Sequence, residues 1–213
     1  MLFYYFRKVF GSVSNIFATH IKINLYFLVI QTSRLIIRDL SLSDIDNIHI
    51  LHSLPETDRF NTLGIPKTIE PTERLLDEWL SVQNTNPRKS YIYCIDLKDS
   101  DKFIGLIALN LRESKFQSAE IWFKVNSTYW GMGYGTEALV KMLDFGFRDL
   151  SLHRIEAGCA IENLASVKLL EKSGMTREGL KRRNLFIRGE WVDAYSYAIL
   201  KEEFLAKPRN AQG

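Results

Sequence analysis

The chain has 213 residues, 46% hydrophobic and 25% charged, with a formal net charge of +3, which suits one soluble globular domain with a full core. Residues 1–33 hold Arg7, Lys8 and Lys22 and no acid, so removing these three from the 28 basic residues leaves 25 against 25 acidic ones. A neutral body without a basic run argues against a dedicated nucleic-acid surface.

The opening stretch, MLFYYFRKVFGSVSNIFATHIKINLYFLVI, is aromatic-rich, and its longest apolar run, LYFLVI (25–30), is too short to span a bilayer. The order of charge, apolar block and small residues is not that of a signal peptide. Residues 1–32 therefore read as a membrane-surface or partner-binding appendage, a weak targeting segment, or codons upstream of the true start. We take them as an extension outside the working fold.

From residue 33 the pattern becomes regular. RLIIRDL (34–40) reads as a strand, and Ser43 is placed to cap the helix DIDNIHILHSL through its hydroxyl. PETDRFNTLGIPKTIE reads as a loop or broken helix. PTERLLDEWLSVQN (71–84) has Pro at a helix start and apolar Leu75, Leu76, Trp79 and Leu80 on one side. SYIYCIDL (90–97), KFIGLIALNLR (102–112) and SAEIWFKV (118–125), separated by short turns, predict an antiparallel meander.

After YWGM, the apolar spacing of Leu139, Met142, Leu143, Gly146, Phe147 and Leu150 predicts a helix. HRIEAGCAI (153–161) is a strand, and NLASVKLLEKSG a short helix ended by Gly174. LKRRNLFIR and EWVDAYSYAIL close the chain as a hairpin across Arg188-Gly189. Alternating strands and helices without repeats or linkers predict one mixed α/β domain over residues 33–205, with 206–213 as a tail.

Cys94 and Cys159 sit in apolar runs with no metal or redox motif around them, and read as buried thiols. His49 and His52 share a helix face but lack a third ligand, so no metal is expected.

The most informative stretch is YWGMGYGTEALVKML (129–143), where Gly131, Gly133 and Gly135 precede a helix. Two readings fit: a tight turn needing positive φ, or a helix start whose free amides meet an anion that the missing Cβ atoms allow to approach. The spacing is neither the dinucleotide fingerprint nor a Walker loop, since no Gly-x-Gly-x-x-Gly and no Gly-Lys-Ser/Thr occurs here.

Several motifs in order resemble the GNAT superfamily of N-acetyltransferases, in particular its ribosomal-protein N-terminal acetyltransferase (Rim-like) branch. Trp130-Gly131-Met132-Gly133-Tyr134-Gly135 matches both small positions of the acetyl-CoA motif Arg/Gln-x-x-Gly-x-Gly/Ala, with Trp130 departing at the first. The run YWGMGYGTEA is typical of that branch. Asn163-Leu164-Ala165-Ser166 followed by Glu171-Lys172-Ser173-Gly174-Met175 resembles the second motif. SRLIIRDL, AEIWFKV, HRIEAGCAIENLAS and the closing Arg-Gly-Glu-Trp-Val-Asp add further matches, so the resemblance covers about residues 33–200.

The resemblance implies a single domain with a mostly antiparallel twisted sheet, splayed at the acetyl-CoA site and flanked by helices. It implies that Met132, Gly133, Gly135 and Thr136 hold the pyrophosphate and that Asn163 bonds the pantetheine arm. Phe123 to Val125 would lend backbone groups to pantetheine, and one amide there would stabilise the oxyanion.

The implied reaction is direct attack of a neutral amine on the thioester. It needs a base, for which Glu120 on the strand leading to the cofactor is the candidate, against the plainer reading of a solvent-facing carboxylate. An acid assists the leaving thiolate; Leu170 stands where many relatives carry Tyr, so Ser166 is the substitute, against a simple helix-capping role.

Residues 43–90 and the closing hairpin would build the acceptor side. Phe60, Asn61, Trp79 and Trp191 are possible lining residues, although aromatic core is the plainer reading for either Trp. Glu56 and Asp58 would be loop acids able to attract a cationic amine. The expected function is acetylation of a primary amine, foremost the α-amine of a protein N terminus of ribosomal-protein type, in the cytoplasm, by a monomer or homodimer without metal or transmembrane anchor. The alternatives are a small-molecule amine as acceptor, such as a polyamine, an amino acid or an aminoglycoside, and a non-catalytic CoA-binding or sensing module.

Overall fold

The computed structural model describes residues 29–206, so most of the expected N-terminal extension and the tail from 207 lie outside the described residues. One eight-stranded sheet runs through them in the order β1-β2-β3-β4-β5-β6-β8-β7. The strands are β1 (Val29–Gln31), β2 (Leu35–Asp39), β3 (Ser90–Leu97), β4 (Phe103–Leu111), β5 (Ser118–Val125), β6 (Arg154–Ala160), β7 (Thr176–Ile187) and β8 (Glu190–Leu200). The α-helices are α1 (Ile45–Ser53), α2 (Pro55–Asp58), α3 (Glu70–Gln83), α4 (Tyr134–Arg148), α5 (Leu164–Lys172) and α6 (Lys201–Leu205). The sheet begins at Val29, which pairs with Arg38, inside the segment expected as an extension.

Helices cover both faces of the central strands, which is why β3 and β4 read as near-continuous apolar runs. Because side chains alternate along a strand, each strand serves two cores. Tyr93, Ile95, Ile107, Leu109 and Ile121 join Leu139, Met142 and Phe147 of α4 and its end in the larger one. Ile92, Cys94, Leu106 and Ala108 join Ile48, Leu51 and Leu76 of α1 and α3 in the smaller one, with Trp79 and Trp122 packed against it. Cys94 and Cys159 are both buried and unpaired, as expected.

The strand bounds of the meander follow the apolar runs closely, and its pairing is antiparallel throughout. One helix entry differs from expectation. Ser43 does not cap α1; its hydroxyl meets that of Ser41 at 2.8 Å. The entry is closed instead by Asp44, which accepts from Ser41 N and Oγ, each at 2.8 Å, and is gripped by both terminal nitrogens of Arg38 at 2.8 and 2.9 Å. A carboxylate held by a bidentate guanidinium outcompetes a neutral hydroxyl for the same amide.

PETDRFNTLGIPKTIE forms one helical turn, α2, and then irregular chain up to α3. Arg188 and Gly189 both take positive φ, at 50° and 85°, and turn β7 into β8 as a tight hairpin. Among the described residues no helix is long and apolar enough to cross a membrane.

The feature that positions the site is a break in the sheet. β5 and β6 run parallel but pair only through Ser118↔Arg154, Ala119↔Ile155 and Glu120↔Glu156. Beyond Glu120, β5 keeps its pairing with β4 as far as Val125↔Gly105, while β6 stays with β8 as far as Ala160↔Ala194. Each strand follows its other neighbour, so a gap opens between them and leads to the loop before α4.

Candidate active site

At the mouth of that gap the three glycines meet different demands. Gly131 and Gly133 adopt φ of 75° and 83°, a left-handed backbone that a side chain disfavours. Gly135 is already helical, and a Cβ there would stand 2.7 Å from Leu169 Cδ1, so its absence lets α4 and α5 approach closely. Gly133 is the N-cap of α4 and has no side chain to cap the first-turn amides. The N–H groups of Tyr134, Gly135 and Thr136 therefore remain available at the positive end of a 15-residue helix. The positive-φ turn of the first sequence reading is present, and the helix that follows it starts without a side-chain cap.

Trp130, which departs from the family motif, donates its indole N–H to Val125 O at 2.7 Å and so pins the turn to the end of β5. A second brace comes from SRLIIRDL. Arg34 Nε donates to Glu137 Oε2 at 2.6 Å, and its Nη1 to Met132 O at 3.0 Å, while its guanidinium lies 4.4 Å above the Tyr134 ring. Glu137 Oε1 further accepts from Thr32 Oγ1 at 2.5 Å and from Ser33 Oγ and Arg34 N at 3.0 Å. Burial alone would raise the Glu137 carboxyl, but these bonds outweigh it and hold the group below the usual carboxylate range. Sequence reasoning quoted both motifs and missed that Arg34 and Glu137 join them.

On the far side of the gap, Asn163 caps α5: its Oδ1 accepts from Ser166 N at 3.1 Å, which leaves the Asn163 amide NH2 and the Ser166 hydroxyl for other partners. Leu170 is buried in the core at 1% exposure and has no proton to give. Phe123 and Val125 pack toward α4, and the Val125 carbonyl is taken by Trp130.

Glu120 is the last β5 residue paired with β6, and is exposed. Its neighbour across the strands, Glu156, is held by Arg112 and by Arg154 Nε, the latter at 2.8 Å. Glu120 has no ion pair among the described residues.

The acceptor side differs from expectation in two ways. Trp191 is not core: it is 61% exposed on the hairpin, its ring 5.2 Å from that of Phe186, because the hairpin tip extends past the helices. Asp58 is not an exposed loop acid: it ends α2 and is 2% exposed, whereas Glu56 is exposed. Trp79 is half-buried, between His52 at 6.1 Å and Trp122 at 5.9 Å. Phe60 lies under the Arg59 guanidinium at 5.1 Å, and Asn61 bonds the backbone of Leu63 at 2.9 Å.

Arg188 Nη2, from the hairpin turn, lies 3.7 Å from Asp58 Oδ2 and links the two parts of this side. Lys124, 7% exposed, was missed, although a Lys inside an apolar strand is itself a signal. Burial lowers its ammonium to about 8 against the opposing charge of Asp58. Burial, then the charges of Lys124 and His49, lower His52 to about 4 and keep it neutral. Among the described residues no group of three or more His, Cys, Asp or Glu side chains is arranged to hold a metal; His49 Nδ1 meets Thr72 Oγ1 at 3.0 Å instead.

Comparison with known proteins agrees with this geometry. Residues 34–176 match the acetyltransferase (GNAT) domain family. The uncharacterized N-acetyltransferase p20 of Bacillus licheniformis is 31% identical over 82% of this chain and 97% of its own. The structure of spermidine N-acetyltransferase from Vibrio cholerae, in complex with CoA and spermine, shares the fold with a TM-score of 0.72 at 24% identity, covering 82% of this chain and all of its own length but for a single percent. Ribosomal-protein-S5-alanine acetyltransferase from Vibrio fischeri shares it with a TM-score of 0.73 at 20% identity, covering 85% of this chain and 100% of that one. With the uncapped helix start, the parted strands and the ordered motifs in one place, the chain belongs to the GNAT acetyltransferase family and is an acetyl-CoA-dependent N-acetyltransferase.

Proposed function

We propose that the enzyme acetylates the α-amine of a protein N terminus, an acceptor of the ribosomal-protein type met in the cytoplasm. Acetyl-CoA is the donor. In this reading the amides of Gly133, Gly135 and Thr136, with the Met132 backbone that Arg34 fixes, hold the pyrophosphate, and the pantetheine arm enters between β5 and β6 beside the Asn163 amide NH2. Backbone N–H groups of β5 between Phe123 and Val125, which lose their partner strand on the β6 side, stabilise the oxyanion that forms as the amine attacks the thioester carbonyl. Glu120 takes the proton from the acceptor ammonium, directly or through water, and the Ser166 hydroxyl donates to the departing thiolate.

The observation that carries the choice of a polypeptide acceptor is the exposed apolar rim. Leu63 and Ile65, in the chain after α2, and Phe186 and Trp191, on the hairpin, are 44–61% exposed, and these two elements meet at the Asp58–Arg188 contact. A small amine has no use for so wide an apolar surround, whereas a peptide covers it. The relatives act by name on different amines, so the acceptor is argued from this chain's own surface. The test is thiol release from acetyl-CoA with short peptides, each free or already formylated at its N terminus. Release with the free form and none with the blocked form is expected; equal release from both would defeat the reading.

A further inference from the structure

One charged cluster has no part in the chemistry described so far. Lys124 Nζ is buried and has no hydrogen-bond partner among the described residues, and the same holds for Asp58 Oδ1. Asp58 Oδ2 has only Arg188 at 3.7 Å, a loose contact, and Arg188 is half exposed at the hairpin turn. An ammonium and a carboxylate oxygen removed from water without partners weaken a fold, so their retention calls for something that completes them.

Their place in the fold says what. Alternation along β5 puts Lys124 on the same face as Glu120 and Trp122, which is the face covered by α1–α3 and opposite to α4. Lys124 stands beside the gap where β6 has parted from β5, and Glu120 is four residues back, about 13 Å along the strand at a rise of about 3.3 Å per residue. Two long side chains pointing to one face over that span bracket a short substituent between them. At the Lys124 end of that span the charges are two cations, Lys124 and Arg188, against one anion, Asp58, with His52 neutral, and Glu120 stands at the other end. A cationic group on the acceptor is therefore better placed at the Glu120 end, and an anionic one at the Lys124 end. A group that offers a carboxylate to Lys124 and Arg188 and an N–H to Asp58 Oδ1 satisfies both unpartnered atoms of this cluster.

We propose that Lys124, Asp58 and Arg188 form the acceptor-reading subsite, and that it selects an acceptor carrying a carboxylate within a few bonds of its reactive amine. The proposal rests on the reading that the acceptor enters over the α1–α3 face of β5. The carboxylate can be the acidic side chain of a peptide's second residue or the α-carboxylate of a free amino acid, and two arms of one experiment separate these sources.

The full chain is assayed by thiol release with matched acids and amides: peptides beginning Ala-Glu against Ala-Gln, and free alanine against alaninamide, with spermidine as the cationic control. A charge-assisted bond to a buried ammonium predicts an acid-to-amide ratio in kcat/KM of about 10- to 100-fold in one arm. In Lys124→Met that ratio falls toward one while the KM for acetyl-CoA stays within about twofold of the wild-type value, by the reasoning that only transition-state and ground-state contacts to the acceptor are lost.

Ratios near one in both arms, a preference for spermidine, or an unchanged ratio in Lys124→Met would overturn the proposal. If Lys124→Met does not fold, Arg188→Gln serves in its place, with a smaller expected fall in the ratio. If no amine releases thiol, the acetyl-transfer reading of this site has failed instead. Calorimetric titration of the CoA-loaded protein with the Ala-Glu and Ala-Gln peptides then decides the subsite: tighter binding of the acid that Lys124→Met abolishes supports it, and equal binding refutes it.

Discussion

The two sides of the gap are built on opposite principles. On the α4 side almost every polar group near the glycine turn is engaged: Glu137 accepts from Thr32, Ser33 and Arg34, Arg34 also holds the Met132 carbonyl, and Trp130 holds that of Val125. What stays open is a row of backbone amides that no side chain caps. On the α1–α3 side buried side chains themselves lack partners, at Lys124 Nζ and Asp58 Oδ1. In the proposed reading the first arrangement would fix a ligand through rigid backbone and so tolerate little change, and the second would read a ligand through side chains that substitution can retune.

The sharpest way to break the comparison is Gly133→Glu. It adds strain at a φ of 83° and sets a carboxylate at the helix start, where the new Cβ alone would stand 3.3 Å from Arg34 Nη2. Acetyl-CoA binding, measured by calorimetry, should be lost by more than about 100-fold, since a like charge replaces an anion-favouring site. Unchanged affinity would remove the phosphates from this turn.

Glu120→Gln comes next. Turnover should fall by about 100-fold, within the usual range for a lost general base, with acetyl-CoA affinity intact. Unchanged kcat across the pH range would return Glu120 to the role of a solvent-facing strand carboxylate.

Much of the α4 side was legible because its signals are backbone signals. Glycine spacing and the helix that follows each leave a mark within a few residues, and Trp130 ties that turn to the end of β5. The brace between Arg34 and Glu137 joins residues 103 apart, and nothing local to either marks it. The acceptor side was less legible for the same reason. Asp58 reads as a loop acid in PETD, and nothing local to it marks that α2, folded against α1, buries it. Trp191 reads as core from its type, and only the reach of the hairpin exposes it. Ser43 lost the cap to Asp44, which pairs with Ser41 and is gripped by Arg38 at the end of the preceding strand β2, a pairing that the helix pattern alone does not reveal.

A gentler test separates bracing from contact. Arg34→Ala removes the bonds to Met132 O and Glu137 Oε2 and the contact with the Tyr134 ring but no amide of α4, so the KM for acetyl-CoA should rise by about 5- to 10-fold, and the KM for the acceptor should not move. A rise in both would mean that the two sides are coupled through β2.

A separate effect concerns stability and belongs to the acceptor side. His52 has a folded pKa of about 4 against an ordinary value of 6.5, so the unfolded chain binds the extra proton between these limits. Stability is therefore fully present above pH 6.5 and declines as pH falls toward 4, by roughly 2–3 kcal/mol for this group. Urea unfolding of His52→Gln should show a flatter profile over that window than the wild type; parallel profiles would mean that His52 charges in the folded state.

The acceptor remains the centre of the account, and tandem mass spectrometry of an acetylated peptide reads it directly. A peptide with a free N terminus and one internal lysine, incubated with the enzyme and acetyl-CoA, should gain a single acetyl group located on its α-amine. Acetyl found only on the lysine side chain, or on spermidine added in competition while the peptide stays unmodified, would contradict it.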